Sequence, residues 1–151
     1  MSYNIVTFGK RRENMLVAVD KLIIGSFLST FKDYMSKGST IFLHCESKIW
    51  ATAQISSDYF FSESEIWTDK KYPHRFRIDG LRVLTQPIEL TNGHYNVELR
   101  KRYGTGWAYS FLFSPKPIPN DIALELVSEA KSKALDGISD LSSLREVLGE
   151  S

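Results

Sequence analysis

The sequence predicts an α+β fold in which a small, mostly antiparallel β-barrel is flanked by helices. Short apolar segments follow one another between residues 40 and 113, and tight turns separate them, which is typical of antiparallel sheets. Stretches with helical spacing of apolar residues precede and follow these segments. The 151 residues, 42% of them hydrophobic, suffice to bury one core, so a single domain is expected.

The first 25 residues predict a strand, a basic turn and a helix. Tyr3–Phe8 has the composition of a strand, and Gly9–Arg12 is a turn that carries three cations. Glu13–Lys21 predicts a short helix with its apolar residues on one face. The segment Leu22–Gly25 leaves that helix, and Gly25 permits a turn or a close approach of backbone.

A second helix and a hairpin follow. The helix is predicted from apolar residues at positions i, i+3 and i+7, namely Leu28, Phe31 and Met35. Gly38 stands where such a helix would end. Thr40–Glu46 predicts a strand, and the alternation of Ile49–Ile55 predicts the next one. The tight turn Glu46–Lys48 joins the two as a hairpin.

Three more strands are predicted between residues 76 and 113. Phe76–Thr85 is apolar and is interrupted by Asp79-Gly80. Tyr95–Lys101 follows the turn Thr91–Gly93, whose Asn-Gly pair is a strong hairpin signal. Trp107–Phe113 is an apolar run that also predicts a strand.

The C-terminal part predicts helices. Sheet structure should end at three prolines, which cannot donate to a β-ladder: Pro115, Pro117 and Pro119. Asn120 or Asp121 can cap a helix in which apolar residues recur every four positions. Asp140 starts one more short, leucine-bearing helix. We therefore expect a domain over residues 1–135 and a helical tail over residues 136–151.

Charge is divided unevenly along the chain. Residues 1–116 hold 16 Lys/Arg against 11 Asp/Glu, whereas residues 117–151 hold 3 against 7. A basic body with an acidic tail is consistent with binding of a polyanion, although a solvated acidic helix gives the same split. No apolar run approaches the ~20 residues of a membrane span, and no signal peptide is evident, so a cytoplasmic protein is expected.

Signals for catalysis are weak. None of the three histidines has a second ligand at metal-binding spacing, and Gly104-Thr105-Gly106 is explained better by a turn than by a phosphate loop. Cys45, the one cysteine, lies in an apolar run and is expected to be buried and inert. We therefore expect no catalytic residue, no metal and no cofactor.

The segment Lys48–Ile78 carries the strongest binding signal. After its opening strand it becomes polar and serine-rich, yet it retains bulky aromatic residues: Tyr59, Phe60, Phe61, Trp67 and Tyr72. It ends in the basic strand His74–Ile78. Rings beside cations suit nucleic acid, because rings stack on bases and cations neutralise phosphates. The aromatic residues can equally fold back and cap the core. A similar mixture recurs at Arg100–Trp107.

Four stretches together resemble a known family. They are the first strand with the helix start at Glu13-Asn14, the helix exit Leu22–Gly25, the hairpin region Ser36–Ile55, and the segment Asp58–Ile78. In this order they resemble the PUA-like superfamily, and within it the EVE domain and the related YTH domain. The closing segment Trp107–Pro119 and its following helix fit as well, so the resemblance covers most of residues 1–133.

The resemblance implies a β-barrel that flips out a nucleobase and holds it in a pocket. YTH domains read N6-methyladenine in RNA through an aromatic cage, and EVE-like modules include modified-base readers of McrBC-type restriction systems. By position, Trp67 matches a cage wall and Asn14 a residue that hydrogen-bonds the base edge. Ile24 stands where the family has a second cage tryptophan, with Gly25 beside it, so that wall offers no aromatic face.

Two groups of candidate residues follow from the resemblance and the aromatic segment. The base-binding pocket is predicted to comprise Trp67, Ile24, Asn14, Gly25, Thr7, Phe8, Phe27, Tyr59 and Tyr72. The phosphate-binding residues are predicted to be Lys10, Arg11, Lys70, Lys71 and Arg75.

Three functions remain open from the sequence. The first is a non-catalytic reader of a methylated adenine or cytosine in DNA or RNA. The second is an ASCH-like amidohydrolase acting on modified nucleosides, a relative for which Lys21 lies near the matching region. The third is a protein-interaction module that uses the acidic tail Asp121–Ser151, through which a fusion or partner subunit is also possible.

Overall fold

The computed structural model describes residues 1–150. The strands are β1 (Tyr3–Thr7), β2 (Ile23–Ser26), β3 (Thr40–Cys45), β4 (Lys48–Ile55), β5 (Phe60–Phe61) and β6 (His74–Glu89). The α-helices are α1 (Arg12–Lys21), α2 (Phe31–Tyr34), α3 (His94–Tyr103), α4 (Asn120–Lys133) and α5 (Leu141–Val147). One π-helix covers Tyr109–Phe113.

The strands form one curled, mixed sheet in the order β1-β3-β4-β6-β2, and β5 pairs with β6. The pairing of β1 with β3 is parallel, and the other pairings are antiparallel. The helices flank this sheet, which confirms the predicted α+β fold class, and the predicted mostly antiparallel barrel takes the form of a curled half-barrel.

Each face of the sheet carries its own hydrophobic core. Neighbouring residues of β3 alternate between them: Ile41 and Leu43 face the first core, and Phe42 faces the second. The first core packs against α1 and α5, and the second packs against α3 and α4. Within residues 1–150, no helix is both long enough and apolar enough to cross a bilayer.

Strand β6 is one 16-residue strand rather than a strand broken at Asp79-Gly80. Its first part pairs with β2 and β5, and from Ile78 onward it pairs with β4. Gly80 adopts φ +59° where the register with β4 shifts. A glycine bulge therefore bends the strand and lets it serve both parts of the sheet.

Two predicted strands are helices instead. Tyr95–Lys101 lies in α3, where Tyr95 and Leu99 bury one face at helical i, i+4 spacing. Trp107–Phe113 runs into the π-helix, and the Trp107 indole donates to Asn96 Oδ1 at 2.9 Å. A short segment with a few apolar residues can fit both the helical and the strand spacing. Packing against the second core selects the helix in both segments.

Acidic residues of α4 form ion pairs and hydrogen bonds with α3. Glu125 lies 2.8 Å from His94 Nε2, and Glu129 accepts a hydrogen bond of 2.7 Å from the Tyr95 hydroxyl. Asp121 pairs with Arg102 instead of capping α4, and neither Asn120 nor Asp121 is the cap, because Pro119 precedes the first helical residue. Part of the acidic charge of the C-terminal part is thus neutralised within the chain.

Of the two short helices, α2 is shorter than predicted and α5 begins where it was predicted to begin. The second predicted helix contracts to the four residues of α2, so that Leu28 precedes it and Met35 follows it in an extended conformation. Asp140 caps α5 as predicted, and it forms a reciprocal capping box with Ser143. Leu144 of α5 is fully buried in the first core. The division into domain and tail stays a prediction.

Candidate functional site

A cavity of about 500 Å³ opens at one end of the first core. Its walls come from the β1–α1 turn, the segment that follows β2, the loop between β5 and β6, and the end of the π-helix. Seven of the nine predicted pocket residues line it: Thr7, Phe8, Asn14, Gly25, Phe27, Trp67 and Tyr72. Segments far apart in sequence thus meet at one concave surface.

Trp67 is a nearly buried aromatic ring in the wall that the β5–β6 loop contributes. It is 5% exposed, and its indole Nε1 donates to the Asn14 carbonyl at 3.1 Å. Tyr72 contacts it edge-on, with ring centroids 5.5 Å apart. The indole therefore fixes the β5–β6 loop against α1 while remaining part of the cavity lining.

Gly25 lets the β5–β6 loop approach the backbone of β2. A Cβ at this position would lie 2.7 Å from the Tyr72 carbonyl oxygen and 2.9 Å from the Trp67 ring. Both distances are well inside van der Waals contact, and the first involves backbone. Of the two roles that the sequence allows for Gly25, a turn or a close approach of backbone, the structure shows the close approach.

We expect Gly25→Ala to destabilise the fold by about 1–3 kcal/mol and to displace Trp67, since the added methyl overpacks the contact. Gly106→Ala is the matched control, because a Cβ there meets nothing within 4 Å. Thermal unfolding of both variants measures the difference. Equal melting temperatures for the two would contradict the close approach.

Arg75 is a structural residue and not an available phosphate ligand. It is 1% exposed, and its guanidinium donates to the carbonyls of Tyr72 at 3.0 Å and Lys71 at 2.8 Å. Further hydrogen bonds reach the hydroxyl and carbonyl of Ser64, and the guanidinium covers the Trp67 ring at 5.4 Å. Burial lowers the pKa of Arg75, which nonetheless remains charged. Its donors are committed to the loop and cannot bind phosphate.

Ile24 and Tyr59 also lie away from the cavity. Ile24 is fully buried and pairs with Phe76 in the core, because adjacent residues of β2 face opposite sides. Tyr59 stacks on His74 and shares a 2.7 Å hydrogen bond with it. Among the lining residues, Phe27 and Phe113 supply exposed rings that Ile24 does not.

A hydrogen-bond network ties the polar side of the cavity to the β5–β6 loop. The Asp69 carboxylate accepts from the Tyr72 hydroxyl at 2.6 Å and from Asn14 Nδ2 at 3.1 Å, and it lies 3.6 Å from Arg11 Nε. Burial raises the pKa of Asp69, but these hydrogen bonds and one from the Lys70 backbone outweigh it and hold the pKa below its usual range. Asn14 is thus engaged by a carboxylate rather than free.

The remaining predicted cations differ in availability. Lys10 and Arg11 both line the cavity and are exposed. Lys70 lies over the Phe27 ring at 5.0 Å, which keeps its charge beside the rim. Lys71 pairs with Glu63 at 3.5 Å on the surface. A pair this exposed competes weakly with a phosphate.

The wall of the cavity at the end of the π-helix was not predicted from the sequence. Leu112, Phe113 and Pro115 line the cavity, together with Phe31 of α2. The run Tyr109–Phe113 holds three aromatic residues in five, which could have drawn attention to it. Its prediction as a strand would put Tyr109, Phe111 and Phe113 on one face, whereas the helical turn leaves Tyr109 and Phe113 exposed and buries Phe111.

The buried His44 of β3 is hydrogen-bonded to Thr7, which in turn accepts a hydrogen bond within the β1–α1 turn. The backbone N–H of Gly9 donates to Thr7 Oγ1 at 3.0 Å, and Thr7 Oγ1 lies 2.8 Å from His44 Nδ1. Thr7 Oγ1 thus accepts from Gly9 and shares a second hydrogen bond with His44 Nδ1, whose direction is set by the tautomer of the ring. Burial lowers the pKa of His44 to about 4, so the ring is neutral at pH 7.

We expect this histidine to make the fold acid-sensitive. The unfolded chain binds a proton near pH 6.5 and the folded chain only near pH 4, so stability falls as the pH drops between those values and is unaffected above them. The loss amounts to roughly 2–3 kcal/mol. Urea unfolding of wild type and His44→Gln from pH 4 to pH 8 measures it. A histidine role is excluded if both proteins show the same slope.

The candidate catalytic residues Cys45 and Lys21 do not line the cavity. Among residues 1–150, no group of three or more His, Cys, Asp or Glu side chains could hold a metal ion. Burial raises the pKa of the Cys45 thiol to about 11, which disfavours the reactive thiolate. Lys21 lies at the exposed end of α1 outside the cavity, and no carboxylate lines the cavity. The amidohydrolase alternative thus lacks its acidic residue there.

Known protein structures with the same fold can be recognised, although sequence similarity to them is low. No protein-family model matches the sequence, and no curated protein matches it significantly. The YTH domain of the Zygosaccharomyces rouxii MRB1 protein, solved in complex with N6-methyladenosine RNA, is 15% identical, with a TM-score of 0.57 over 86% of each chain. Protein Atu2648 from Agrobacterium tumefaciens is 12% identical, with a TM-score of 0.55 over 90% of this chain and 100% of that one.

A further bacterial protein shares this fold. Rpa0253 from Rhodopseudomonas palustris is 16% identical, with a TM-score of 0.55 over 87% of this chain and 94% of that one. At such identities the similarity defines the fold, which is that of YTH domains, and this confirms the broader resemblance predicted from the sequence. The assignment to EVE domains stays a prediction.

Proposed function

We propose that the chain is a non-catalytic nucleic-acid-binding module that holds a flipped, modified base in the cavity. The observation that carries this proposal is the cavity itself, which has an aromatic interior with Lys10 and Arg11 at its rim. A base needs apolar or aromatic surface for its faces, and the adjoining phosphate needs cations. Similarity to a YTH domain solved with N6-methyladenosine RNA supports the proposal.

In this proposal the base faces contact rings and its edge contacts polar groups. Trp67, Tyr72 and Phe27 supply the aromatic surface. The side chain of Asn14 and the backbone of Thr7–Gly9 read the edge. A cavity of about 500 Å³ lies within the usual range of small-molecule sites, so it has room for a methylated base.

Base entry requires an exchange of hydrogen bonds. Asn14 Nδ2 donates to Asp69 at 3.1 Å, and the Tyr72 hydroxyl donates to the same carboxylate. A base edge that accepts from Asn14 replaces one hydrogen bond by another, so the net cost is small.

Phosphate binding falls to Lys10 and Arg11, with Lys70 and Lys71 at the outer rim. Arg75 acts indirectly by holding the loop that bears Trp67. Few phosphate contacts imply a shallow salt dependence, because each neutralised phosphate adds about −0.7 to −0.9 to the slope of log affinity against log salt. We propose a slope between about −1.4 for two phosphate contacts and about −3.6 for four.

The base we propose is a methylated adenine or cytosine, carried by DNA or RNA. We further propose that the domain belongs with EVE-like readers, in which case a longer restriction subunit or a partner bound to the C-terminal tail is its natural context. The acidic tail remains compatible with such a partner where its carboxylates are exposed, as at Glu146.

Titration of wild type with matched oligonucleotides tests the proposal. The probes carry N6-methyladenine, 5-methylcytosine or no modification at one position, each in DNA and in RNA, at low salt. We expect at least about fourfold preference for one methylated probe, since burial of one methyl contributes about 0.8 kcal/mol. Absence of binding, or equal affinity for all probes, would refute the reader function.

A further inference from the structure

The π-helix presents two aromatic rings to solvent. Tyr109 is 75% exposed and Phe113 is 62% exposed, and their ring centroids lie 6.3 Å apart. Phe111 between them points inward, where it is buried and contacts Tyr103 with centroids 5.0 Å apart. Exposed apolar rings in a group mark an interaction surface, and single π-helical turns occur often at functional sites.

This pair, which we call the aromatic platform, is continuous with the cavity. Phe113 is itself a lining residue, and it shares the cavity with Lys10 and Arg11. Within the part of the chain that the structure describes, no carboxylate lies within ion-pair distance of Lys10 or Lys116. Lys116 follows the platform by three residues in the sequence, so the platform has a cation close in sequence in addition to Lys10 and Arg11 at the cavity rim.

We propose that the aromatic platform stacks the base next to the one held in the cavity, and that the partner is therefore a single-stranded nucleic acid. This inference rests on the proposed function and makes its partner specific. Bases within a duplex have both faces covered by their neighbours, whereas a single strand offers free faces to rings. The exposed cations beside the rings neutralise the phosphates that join the two nucleotides.

Tyr109 is the better probe of the two rings, because it does not line the cavity and its loss leaves the cavity intact. Phe61→Ala is the matched control, since Phe61 is an exposed ring, 57% accessible, that lies outside the cavity lining. Both substitutions remove exposed side chains, so both variants should fold, and their melting temperatures verify this.

The experiment measures the binding of three kinds of probe to wild type, Tyr109→Ala and Phe61→Ala. The probes are the free nucleosides N6-methyladenosine and 5-methylcytidine, single-stranded nine-residue oligonucleotides with either base at the centre, and the corresponding duplexes. We expect Tyr109→Ala to weaken single-strand binding at least about fivefold, since a stacked base contributes about 1–3 kcal/mol. Nucleoside affinity should be unchanged, and Phe61→Ala should bind every probe as wild type does.

Three results would overturn the inference and leave the reader function intact. The first is that Tyr109→Ala binds the single strand as tightly as wild type does. The second is that wild type binds the duplex as tightly as the single strand and that Tyr109→Ala weakens both equally. The third is that sedimentation shows wild type self-associating through Tyr109. Failure of every methylated probe to bind wild type would instead overturn the reader function, and the inference with it.

Discussion

Replacement of Arg75 by methionine should destabilise the fold by about 4 kcal/mol. Methionine fills similar space without hydrogen-bond donors, so the carbonyls of Ser64, Lys71 and Tyr72 lose their partner. Each buried acceptor left unpaired costs ~1–3 kcal/mol, and water can reach part of the loop after the change. The Trp67 ring also loses the cation above it.

Arg77→Met provides the control on the same strand. Arg77 lies two residues along the same face of β6 but is exposed, and its guanidinium lies 5.3 Å from the Phe60 ring. Its replacement should cost less than about 1 kcal/mol, because surface cation–π contacts are weak. Urea unfolding at pH 7 measures both variants. Similar losses for the two arginines would contradict the assignment of Arg75 as the anchor of the loop.

Replacement of Trp67 should abolish selective binding. The substitution must leave the chain folded, so that a loss of binding can be told apart from a loss of stability. Trp67→Ala should cost about 3–5 kcal/mol of stability, since the ring is nearly fully buried. Trp67→Phe keeps an aromatic ring but removes the indole N–H that donates to Asn14. We expect that variant to remain folded and to bind the methylated probe about tenfold more weakly, because stacking area and loop position both change.

Trp107→Phe separates binding from general loss of a tryptophan. Trp107 is equally buried and its indole also donates a hydrogen bond, to Asn96, but it lies in the second core and outside the cavity. It should lose stability comparably and retain full affinity for the methylated probe. Equal affinity losses in the two variants would place the effect in folding rather than in the cavity.

The sequence was informative where local signals agree with the fold. The first strand, α1, the β3–β4 hairpin, α4 and the capped α5 all follow from periodicity and turn residues close in sequence. The segment Tyr95–Lys101 was ambiguous, because Tyr95 and Leu99 share a face in a helix as well as in a strand. What decides there is the second core, which forms from distant segments.

Much of the candidate site was also predicted, yet the roles of its charged residues were not. Strand alternation places Arg75 and Arg77 on the same face, and only the β5–β6 loop, whose carbonyls accept from Arg75, buries one and leaves the other exposed. The engagement of Asn14 by Asp69 spans 55 residues of sequence and has no local signal. Position in the family pattern placed Ile24 in the pocket, whereas its strand face places it in the core.

The cavity as the site of a methylated base is the central claim, and amide and indole chemical shifts test it most directly. A ¹⁵N-labelled chain is titrated with the methylated oligonucleotide and with its unmodified counterpart. We predict that the methylated probe alone shifts the Trp67 indole, the Asn14 side-chain amide and the amides of Thr7–Gly9, while the Trp107 indole stays unchanged. Shifts confined to other surfaces, or the same shifts from the unmodified probe, would contradict the claim.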